Sequence, residues 1–461
     1  MYTDLQMTKQ QRLVLIVSIL ASFVAFLDGS VINVALPAIA SDLGGDLSVQ
    51  QWIVDAYLIS LGSLILIAGS LSDIFGRQRI LAAGLIGFGI ASVLCAVAPT
   101  SFILIIARLL QGVAGALLVP SSLAIIMSAF SGTPQSKAIG TWTAWTGIAF
   151  VVGPLLGGLL VDAGSWRLIF AINIIPIAIT LWLMRHIKHR EVIRTKTKVD
   201  YVGALLGSVG LGGPVYALIE QPNHGWESPQ VYLPLLSGIL AFILFIAYEK
   251  RTPHAMLPLS LFKQRNFAVG NIATIAIYGG LSIATFLIAI FVQQIGGYSA
   301  VQAGLALLPV TIIMFLLSPR FGALSGKYGP RLFMSTGPII GGIGFLLMLK
   351  VDESINYLTD LLPGVLLFGL GLAVTVAPLT SAILGAINPK QAGIASAVNN
   401  AVARVAGLAA IAAIGVVIGP SLTVEGFRQG VLIMAFLLIA GGVVSALGIS
   451  NRKLSAEPDI N

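Results

Sequence analysis

The sequence predicts an all-α membrane protein of 14 transmembrane helices, arranged as two six-helix bundles in a pseudo-twofold relation with two further helices inserted between them. Three observations predict this fold: an apolar composition, a series of apolar stretches long enough to cross a bilayer, and a motif that occurs once in each half of the chain. Each of them is taken in turn below.

The composition excludes a soluble protein. Hydrophobic residues make up 57% of the 461 residues and charged residues only 10%, and the mean hydropathy is +0.97. Soluble domains carry about 25% charged residues. Glycine is frequent, with 51 residues, and glycine is favoured where membrane helices pack closely.

Fourteen apolar stretches have the length of membrane spans. A helix needs about 20 mostly apolar residues to cross the hydrocarbon layer. With charged residues and turn signals as boundaries, the predicted spans are 13–37, 51–70, 80–98, 102–124, 138–160, 167–184, 202–219, 231–248, 267–293, 302–319, 332–349, 358–378, 393–418 and 429–448.

Lysine and arginine are distributed unequally between the loops. Of the 26, 21 fall on the side of the N-terminus, whereas only Arg167, Lys350 and Arg428 fall on the opposite side and Arg108 and Arg404 lie within spans. The positive-inside rule therefore predicts a multi-pass protein of the cell membrane with both termini in the cytoplasm. The net charge of +8 is assigned to loops that face anionic lipid headgroups. Loops this short predict no nucleic-acid partner.

An internal repeat divides the chain. Residues 69–77 and 322–330 share Gly, Leu, Ser and Gly at a constant offset, each after the second helix of a six-helix block. The predicted domains are an N-terminal six-helix bundle with a basic cytoplasmic linker (1–200), two inserted helices (201–250) and a C-terminal six-helix bundle (251–461). Parallel repeats of this kind are a basis of alternating access in transporters.

Neither a histidine metal site within the spans nor an ATP-binding loop is predicted from the sequence. The single cysteine, Cys95, excludes an intramolecular disulfide, and the four histidines fall outside the apolar stretches. No G-x-x-x-x-G-K-[ST] phosphate-binding loop occurs. The sequence therefore predicts no metal, no cofactor, no enzymatic reaction and no use of ATP as the energy source.

Five motifs lie in order along the chain. They are LDGSVINVALP at 27–37, the loop at 69–77 with Arg79, RLLQGVAGA at 108–116, GPLLGG at 153–158 and WRLIFAIN at 166–173. Together they resemble the major facilitator superfamily and, more narrowly, its fourteen-helix branch of drug:H⁺ antiporters of the multidrug efflux type. The stretch 399–407 also resembles the thirteenth helix of that branch.

The resemblance implies a monomeric, proton-coupled antiporter that exports amphipathic or cationic organic compounds, with H⁺ as the coupling ion. The fifth-helix motif is what favours export over uptake. Two alternatives remain open from the sequence: a proton-coupled exporter of a lipid or a dedicated metabolite on the same fold, and a membrane receptor or scaffold that does not transport. The small-molecule substrate itself is not identified by the sequence.

Asp28 and Arg108 form the sharpest candidate site. Asp28 lies about 15 residues, or roughly 22 Å, into an outward-running helix, and Arg108 lies about 6 residues, or roughly 9 Å, into an inward-running one. In a hydrocarbon core about 30 Å thick these depths agree. A nearby arginine favours the charged carboxylate and loss of water favours the neutral acid, so the pair suits proton coupling. The alternative is a permanent structural ion pair.

Two further charged residues are predicted within spans. Asp55 lies near the outer end of the second helix, where it either attracts a cationic substrate, carries a second proton or is a hydrated interfacial residue. Arg404 lies near the middle of the thirteenth helix, and no acidic partner for it is evident in its own half. It is assigned either to substrate contact, to pairing across to Asp28 or Asp55, or to a structural task.

The repeated loop is predicted to control gating. Gly69 and Gly76 are expected to permit a tight turn and a close approach of helices. Asp73 is expected to bind backbone N–H groups or nearby cations, and family resemblance implies that it latches the cytoplasmic side, with Arg77 in the same gating loop. Because Gly326 replaces this aspartate in the second copy, gating is expected to be asymmetric.

The antiporter motif of the fifth helix combines one proline with three glycines. The Gly153-Pro154 pair removes a backbone donor and is expected to bend the helix. Gly157 and Gly158 are then expected to let a neighbouring helix pack closely. The alternative is a packing kink without a role in transport.

Overall fold

The computed structural model describes residues 7–187, 199–252, 256–388 and 391–451, and within these ranges all regular secondary structure is helical. Fourteen helical segments follow one another along the chain: α1 Lys9–Leu43, α2 Leu47–Phe75, α3 Arg77–Ala96, α4 Ser101–Ala129, α5 Gly132–Asp162, α6 Leu168–Met184, α7 Tyr201–His224, α8 Pro229–Glu249, α9 Arg265–Gln294, α10 Ala300–Tyr328, α11 Pro330–Lys350, α12 Tyr357–Gly385, α13 Ala392–Ile418 and α14 Val424–Gly448. A short 3₁₀ helix, Leu259–Lys263, precedes α9.

Every predicted span falls on one of these helices, but two of them differ from an ideal membrane span. Within the described residues, 12 helices are long and apolar enough to cross a membrane. Helix α2 joins them if its two parts, Leu47–Ile65 and Ile67–Phe75, are one span bent by 56°. Helix α6 is shorter and contains a turn at residues 172–173. The membrane-spanning all-helical fold is thus confirmed, whereas fourteen crossings stay a prediction.

Polar capping residues explain why several helices begin before the apolar stretches do. Thr8 caps α1 in a capping box with Gln11, and Asp46 accepts a hydrogen bond from the backbone N–H of Val49 at the start of α2. Such caps satisfy N–H groups that have no partner within the helix. Each of these two helices therefore begins several residues before its apolar stretch, so hydropathy alone underestimates helix length.

The turns after α2 and α10 repeat one backbone conformation. Gly76 has φ +94° and ψ +130°, and Gly329 has φ +87° and ψ +156°. Side-chain-bearing residues rarely adopt this left-handed region, so both positions require glycine. The internal repeat in the sequence therefore corresponds to a repeated structure at the end of each block's second helix.

The chain forms two compact units. Unit 1 comprises Met1–Met256 together with Gly297–Leu305, and unit 2 comprises Leu257–Gly296 and Ala306–Asn461. Within unit 1, α4 packs on α1, α2 and α3, α1 packs on α5, and the inserted pair α7 and α8 pack on each other, with α7 also against α2. Within unit 2, α12 packs on α10 and α11, and α9 packs on α13 and α14.

The inserted helices therefore associate with the N-terminal bundle in one unit. Most of the predicted basic linker, residues 188–198, lies outside the described residues. The three predicted domains and the cytoplasmic location of the termini stay predictions.

Candidate functional site

A buried ion pair lies in the middle of unit 1. Asp28 on α1 and Arg108 on α4 both have no exposed side-chain surface, and Arg108 Nη1 donates to Asp28 Oδ2 at 2.5 Å. The other carboxylate oxygen, Oδ1, accepts from Gln111 Nε2 at 2.9 Å and from Asn173 Nδ2 at 3.0 Å. The depth argument from the sequence thus led to a real contact, with both carboxylate oxygens occupied.

The guanidinium group of Arg108 is held from several sides. Its Nε donates to the carbonyl oxygen of Ile53 at 3.0 Å, and its Nη1 also donates to Gln111 Oε1 at 2.6 Å. The guanidinium carbon lies 4.4 Å from the ring centre of Tyr57 and 5.8 Å from that of Phe170. Among the described residues, Arg108 Nη2 has no hydrogen-bond partner. A buried cation with these four contacts retains much of the stabilisation that water would give it.

Close packing between α2 and α4 positions this arginine. Arg108 and Gln111 are three residues apart and share one face of α4. One residue further, a Cβ at Gly112 would collide with Ser60 Oγ and with the carbonyl oxygen of Tyr57. The absence of a side chain at Gly112 therefore lets the α2 backbone approach and brings the ring of Tyr57 over the guanidinium.

The polar residues around Asp28 were not identified by the sequence analysis. Gln111 and Asn173 occur in the quoted motifs but were given no role, and Ser92 on α3 was not singled out. Ser92 Oγ accepts from Gln111 Nε2 at 2.9 Å and lies 3.4 Å from Asn173 Nδ2. The three-residue spacing from Arg108 was the one available signal for Gln111. Asn173 lies in the turn between the two parts of α6.

The charges in this network would change if Asp28 gained a proton. Protonation of Asp28 would remove the counter-charge of Arg108, while amide, carbonyl and aromatic contacts of the arginine would remain. Conversely, ionised groups at this depth are stable only when paired or hydrated. The pair is therefore a place where binding or release of a single proton changes local interactions strongly. Its role in coupling stays a prediction.

Asp55 is buried in a different way. It lies on α2, two residues after Ile53, with no exposed surface. Among the described residues neither of its carboxylate oxygens has a hydrogen-bond partner. This placement contradicts the hydrated interfacial alternative, because water-exposed carboxylates are not buried in this way. An unpartnered buried carboxylate is costly unless it binds a proton or a cation.

Arg404 lies on α13 and is partly buried. It belongs to unit 2, whereas Asp28 and Asp55 belong to unit 1. Near it on the same helix, Asn399 Nδ2 donates to Asn271 Oδ1 at 3.1 Å and to Thr274 Oγ1 at 2.9 Å. In unit 2, hydrogen bonds between neutral polar side chains thus link α9 to α13 near Arg404.

The gating loop contains an ion pair between Asp73 and Arg77, whereas one of its glycines has no close neighbour. Arg77 Nη2 contacts Asp73 Oδ1 at 3.0 Å, and Arg77 Nη1 donates to the carbonyl oxygen of Ala124 on α4 at 3.0 Å. Gly76 makes the predicted tight turn. The close helix approach predicted at Gly69 was wrong, because a Cβ there would meet nothing within 4 Å.

The glycines of the α5 motif make close contacts on two sides. Gly153 faces Ser30 on α1, and a Cβ at Gly157 would lie 2.5 Å from Val31 Cγ2. On the other side, a Cβ at Gly158 would lie 2.5 Å from the carbonyl oxygen of Ala300. Helix α5 continues through Pro154 without a break. Close packing is therefore the local consequence of these glycines, and the bend at Pro154 stays a prediction.

Asp162, at the end of α5, caps the first residues of α10, a segment that belongs to unit 1. Its Oδ1 accepts from the backbone N–H of Ala300 at 3.1 Å, and its Oδ2 accepts from that of Val301 at 3.0 Å. We expect Asp162→Ala to accelerate amide hydrogen exchange at these two positions about fivefold, the equivalent of the ~1 kcal/mol of a lost helix cap. Asp352→Ala, which removes an exposed cap within another loop, is the matched control. Unchanged exchange at both amides in Asp162→Ala would show that the cap does not stabilise this segment.

Comparison with known proteins assigns the family. The sequence model of the Major Facilitator Superfamily matches residues 18–411. Multidrug resistance protein Stp of Mycobacterium tuberculosis is 33% identical over 417 residues, which cover 89% of this chain and 76% of that protein. Methylenomycin A resistance protein of Bacillus subtilis is also 33% identical, with coverage of 89% and 88%. Puromycin resistance protein pur8 of Streptomyces alboniger is 33% identical over 471 residues, with coverage of 96% and 92%.

Solved structures agree on the fold. The peptide transporter POT in complex with sulfate superposes with a TM-score of 0.71 at 14% identity, covering 96% of this chain and 95% of that one. A bacterial homolog of the human lysosomal transporter Spinster gives a TM-score of 0.68 at 16% identity, with coverage of 96% and 97%. At these identities the likeness concerns the fold alone.

Proposed function

The chain belongs to the Major Facilitator Superfamily of membrane transporters, and on that premise we propose that it is a proton-driven antiporter that exports amphipathic or cationic organic compounds across the cell membrane. Relatives that match most of its length are named for resistance to several drugs, to methylenomycin A and to puromycin. Resistance by a transporter requires that the compound leaves the cytoplasm, which supports export as the direction.

The observation that carries the proposal is the buried Asp28–Arg108 pair with its polar neighbours Gln111 and Asn173. A transporter without coupling has no need of an ion pair at this depth, since an apolar pair of similar volume costs less. In the proposed cycle Asp28 accepts a proton from the outer side and releases it to the cytoplasm. Arg108 favours release by stabilising the ionised carboxylate.

Asp55 is the proposed second carboxylate, for a cationic substrate or a second proton. Its two buried oxygens lack hydrogen-bond partners among the described residues, and a cation or a proton would supply what they lack. Arg404, in unit 2, is proposed to contact the substrate or support gating. Gly69, Asp73, Gly76 and Arg77 are proposed to act in cytoplasmic gating, and the antiporter motif, Gly153, Pro154, Gly157 and Gly158, in closure of the transport path.

Efflux from proteoliposomes with an imposed pH gradient tests the function. The purified chain is reconstituted with a trace of labelled lipid and offered a monovalent cation, a dication, a neutral amphipath and an anion of similar size. We expect gradient-dependent movement of the monovalent cation and the neutral amphipath, accompanied by counterflow of protons. Gradient-dependent movement of labelled lipid alone would favour a lipid exporter, and the absence of any gradient-dependent movement would favour a receptor or scaffold; either result would overturn the proposal.

A further inference from the structure

A carboxylate and two aromatic rings meet where the inserted helix α7 packs on α2. Trp52 on α2 donates from Nε1 to Glu220 Oε1 on α7 at 2.7 Å. The ring centres of Trp52 and Tyr216 are 5.5 Å apart, with an angle of 58° between the planes. We call these three residues the α2–α7 cluster. The sequence analysis missed Glu220, because the predicted span stops at residue 219 whereas α7 continues to His224.

The negative charge of Glu220 is only weakly compensated. Among the described residues no lysine or arginine forms an ion pair with it, and the nearest basic atom is His224 Nδ1, at 3.4 Å from Oε2. That imidazole nitrogen is also 3.3 Å from the carbonyl oxygen of Glu220. The Glu220 side chain is 18% exposed and Tyr216 is 36% exposed. Both the carboxylate side chain and the ring of Tyr216 therefore retain exposed surface.

Hydrogen bonds hold α7 in this position. Asn223 Nδ2 donates to Ser48 Oγ at 3.2 Å and lies 3.4 Å from Asp46 Oδ2, at the beginning of α2. The carboxylate of Glu220 is thus fixed on a rigid pair of helices. On α2, Asp55 lies three residues after Trp52, one helical turn further along.

An aromatic belt at the membrane surface would account for the rings alone. It would not account for a carboxylate, because a neutral amide or carbonyl oxygen would accept the Trp52 N–H equally well without the cost of a charge in an apolar helix. Aromatic faces beside a carboxylate form a typical binding site for organic cations, through cation–π attraction and charge.

We propose that the α2–α7 cluster binds lipophilic monovalent organic cations, with Glu220 as the counter-ion and Trp52 and Tyr216 as the aromatic walls. In this role the inserted hairpin supplies an additional cation site to unit 1. The use of the site in export rests on the proposed function, whereas binding itself does not.

Equilibrium binding of tetraphenylphosphonium to the purified full chain in lipid nanodiscs tests the site. Glu220→Gln keeps an oxygen that accepts the Trp52 N–H bond and removes only the charge. We expect its dissociation constant for tetraphenylphosphonium to rise about tenfold, with little change for a neutral amphipath of similar size. The matched control is Glu227→Gln, an exposed glutamate in the connection between α7 and α8, for which we expect unchanged binding.

Equal affinity in Glu220→Gln and the unmodified chain would overturn the site and leave Glu220 as a structural clamp. Should Glu220→Gln fail to fold, a photoreactive phosphonium on the unmodified chain decides: we expect it to label peptides that contain Trp52 or Tyr216, and labelling confined to other peptides would overturn the site. Intact Glu220-dependent binding without gradient-driven export would overturn the proposed function alone.

Discussion

Replacing Asp28 with Asn is expected to reduce pH-gradient-driven efflux to the level of protein-free liposomes. The amide has nearly the shape of the carboxylate and can still accept from Gln111 or Asn173, so the helices keep their packing. It cannot bind and release a proton in the working pH range, and it leaves Arg108 without its counter-charge. The measurement is efflux of a monovalent cation from proteoliposomes under an imposed pH gradient.

Asp42→Asn is the control for this variant. Asp42 lies at the far end of the same helix, where its side chain is 48% exposed and pairs with Arg167, and we expect this variant to retain efflux because surface ion pairs contribute little. Thermal unfolding of both variants in detergent separates loss of coupling from loss of folding. Undiminished gradient-driven efflux by a folded Asp28→Asn protein would contradict the assignment of Asp28 as the coupling residue.

The sequence was sufficient to locate the helices, because each apolar stretch is bounded by charges, glycines or caps that membrane helices require. It also predicted the partner of Asp28, since equal depth is computed from residue numbers alone. Depth does not specify rotation about the helix axis. The contacts of Asn173 with Asp28 and Ser92 depend on this rotation, which the apolar composition of α6 does not indicate.

Because depth does not specify rotation about the helix axis, the sequence also does not show which glycines make close contacts. Gly69 and Gly112 both occur in motifs that suggest close packing, yet only a Cβ at Gly112 would collide with a neighbour. A sequence motif shows that a glycine is present, but it does not show which helix the glycine faces. Glu220 was missed for a different reason. The predicted span stops before this charged residue because hydropathy falls there, although the helix continues through Pro222 to His224.

Gly112→Ala is expected to destabilise unit 1 more than any other single methyl addition discussed above. The new Cβ would meet the carbonyl oxygen of Tyr57, which belongs to the backbone of α2 and cannot rotate away as a side chain would. Helices α2 and α4 must then separate, at a cost of about 1–3 kcal/mol for an overpacked core. Because Tyr57 covers the guanidinium of Arg108, the same displacement also loosens the ion pair.

We expect the same chemical change at Gly147, Gly147→Ala, to have the opposite effect on stability. Gly147 lies within α5, and a Cβ there would meet nothing within 4 Å, so the alanine is expected to stabilise the helix by about 0.5–1 kcal/mol through its lower backbone entropy when unfolded. Thermal unfolding of the two variants in the same detergent measures the difference. Relative to the unmodified chain, we expect a lower melting temperature for Gly112→Ala and an equal or higher one for Gly147→Ala. This result would show that glycine is required at position 112 because of contact with α2, rather than because of helix propensity. Equal shifts in both would contradict this, and would remove the packing argument for how α4 positions Arg108 against Asp28.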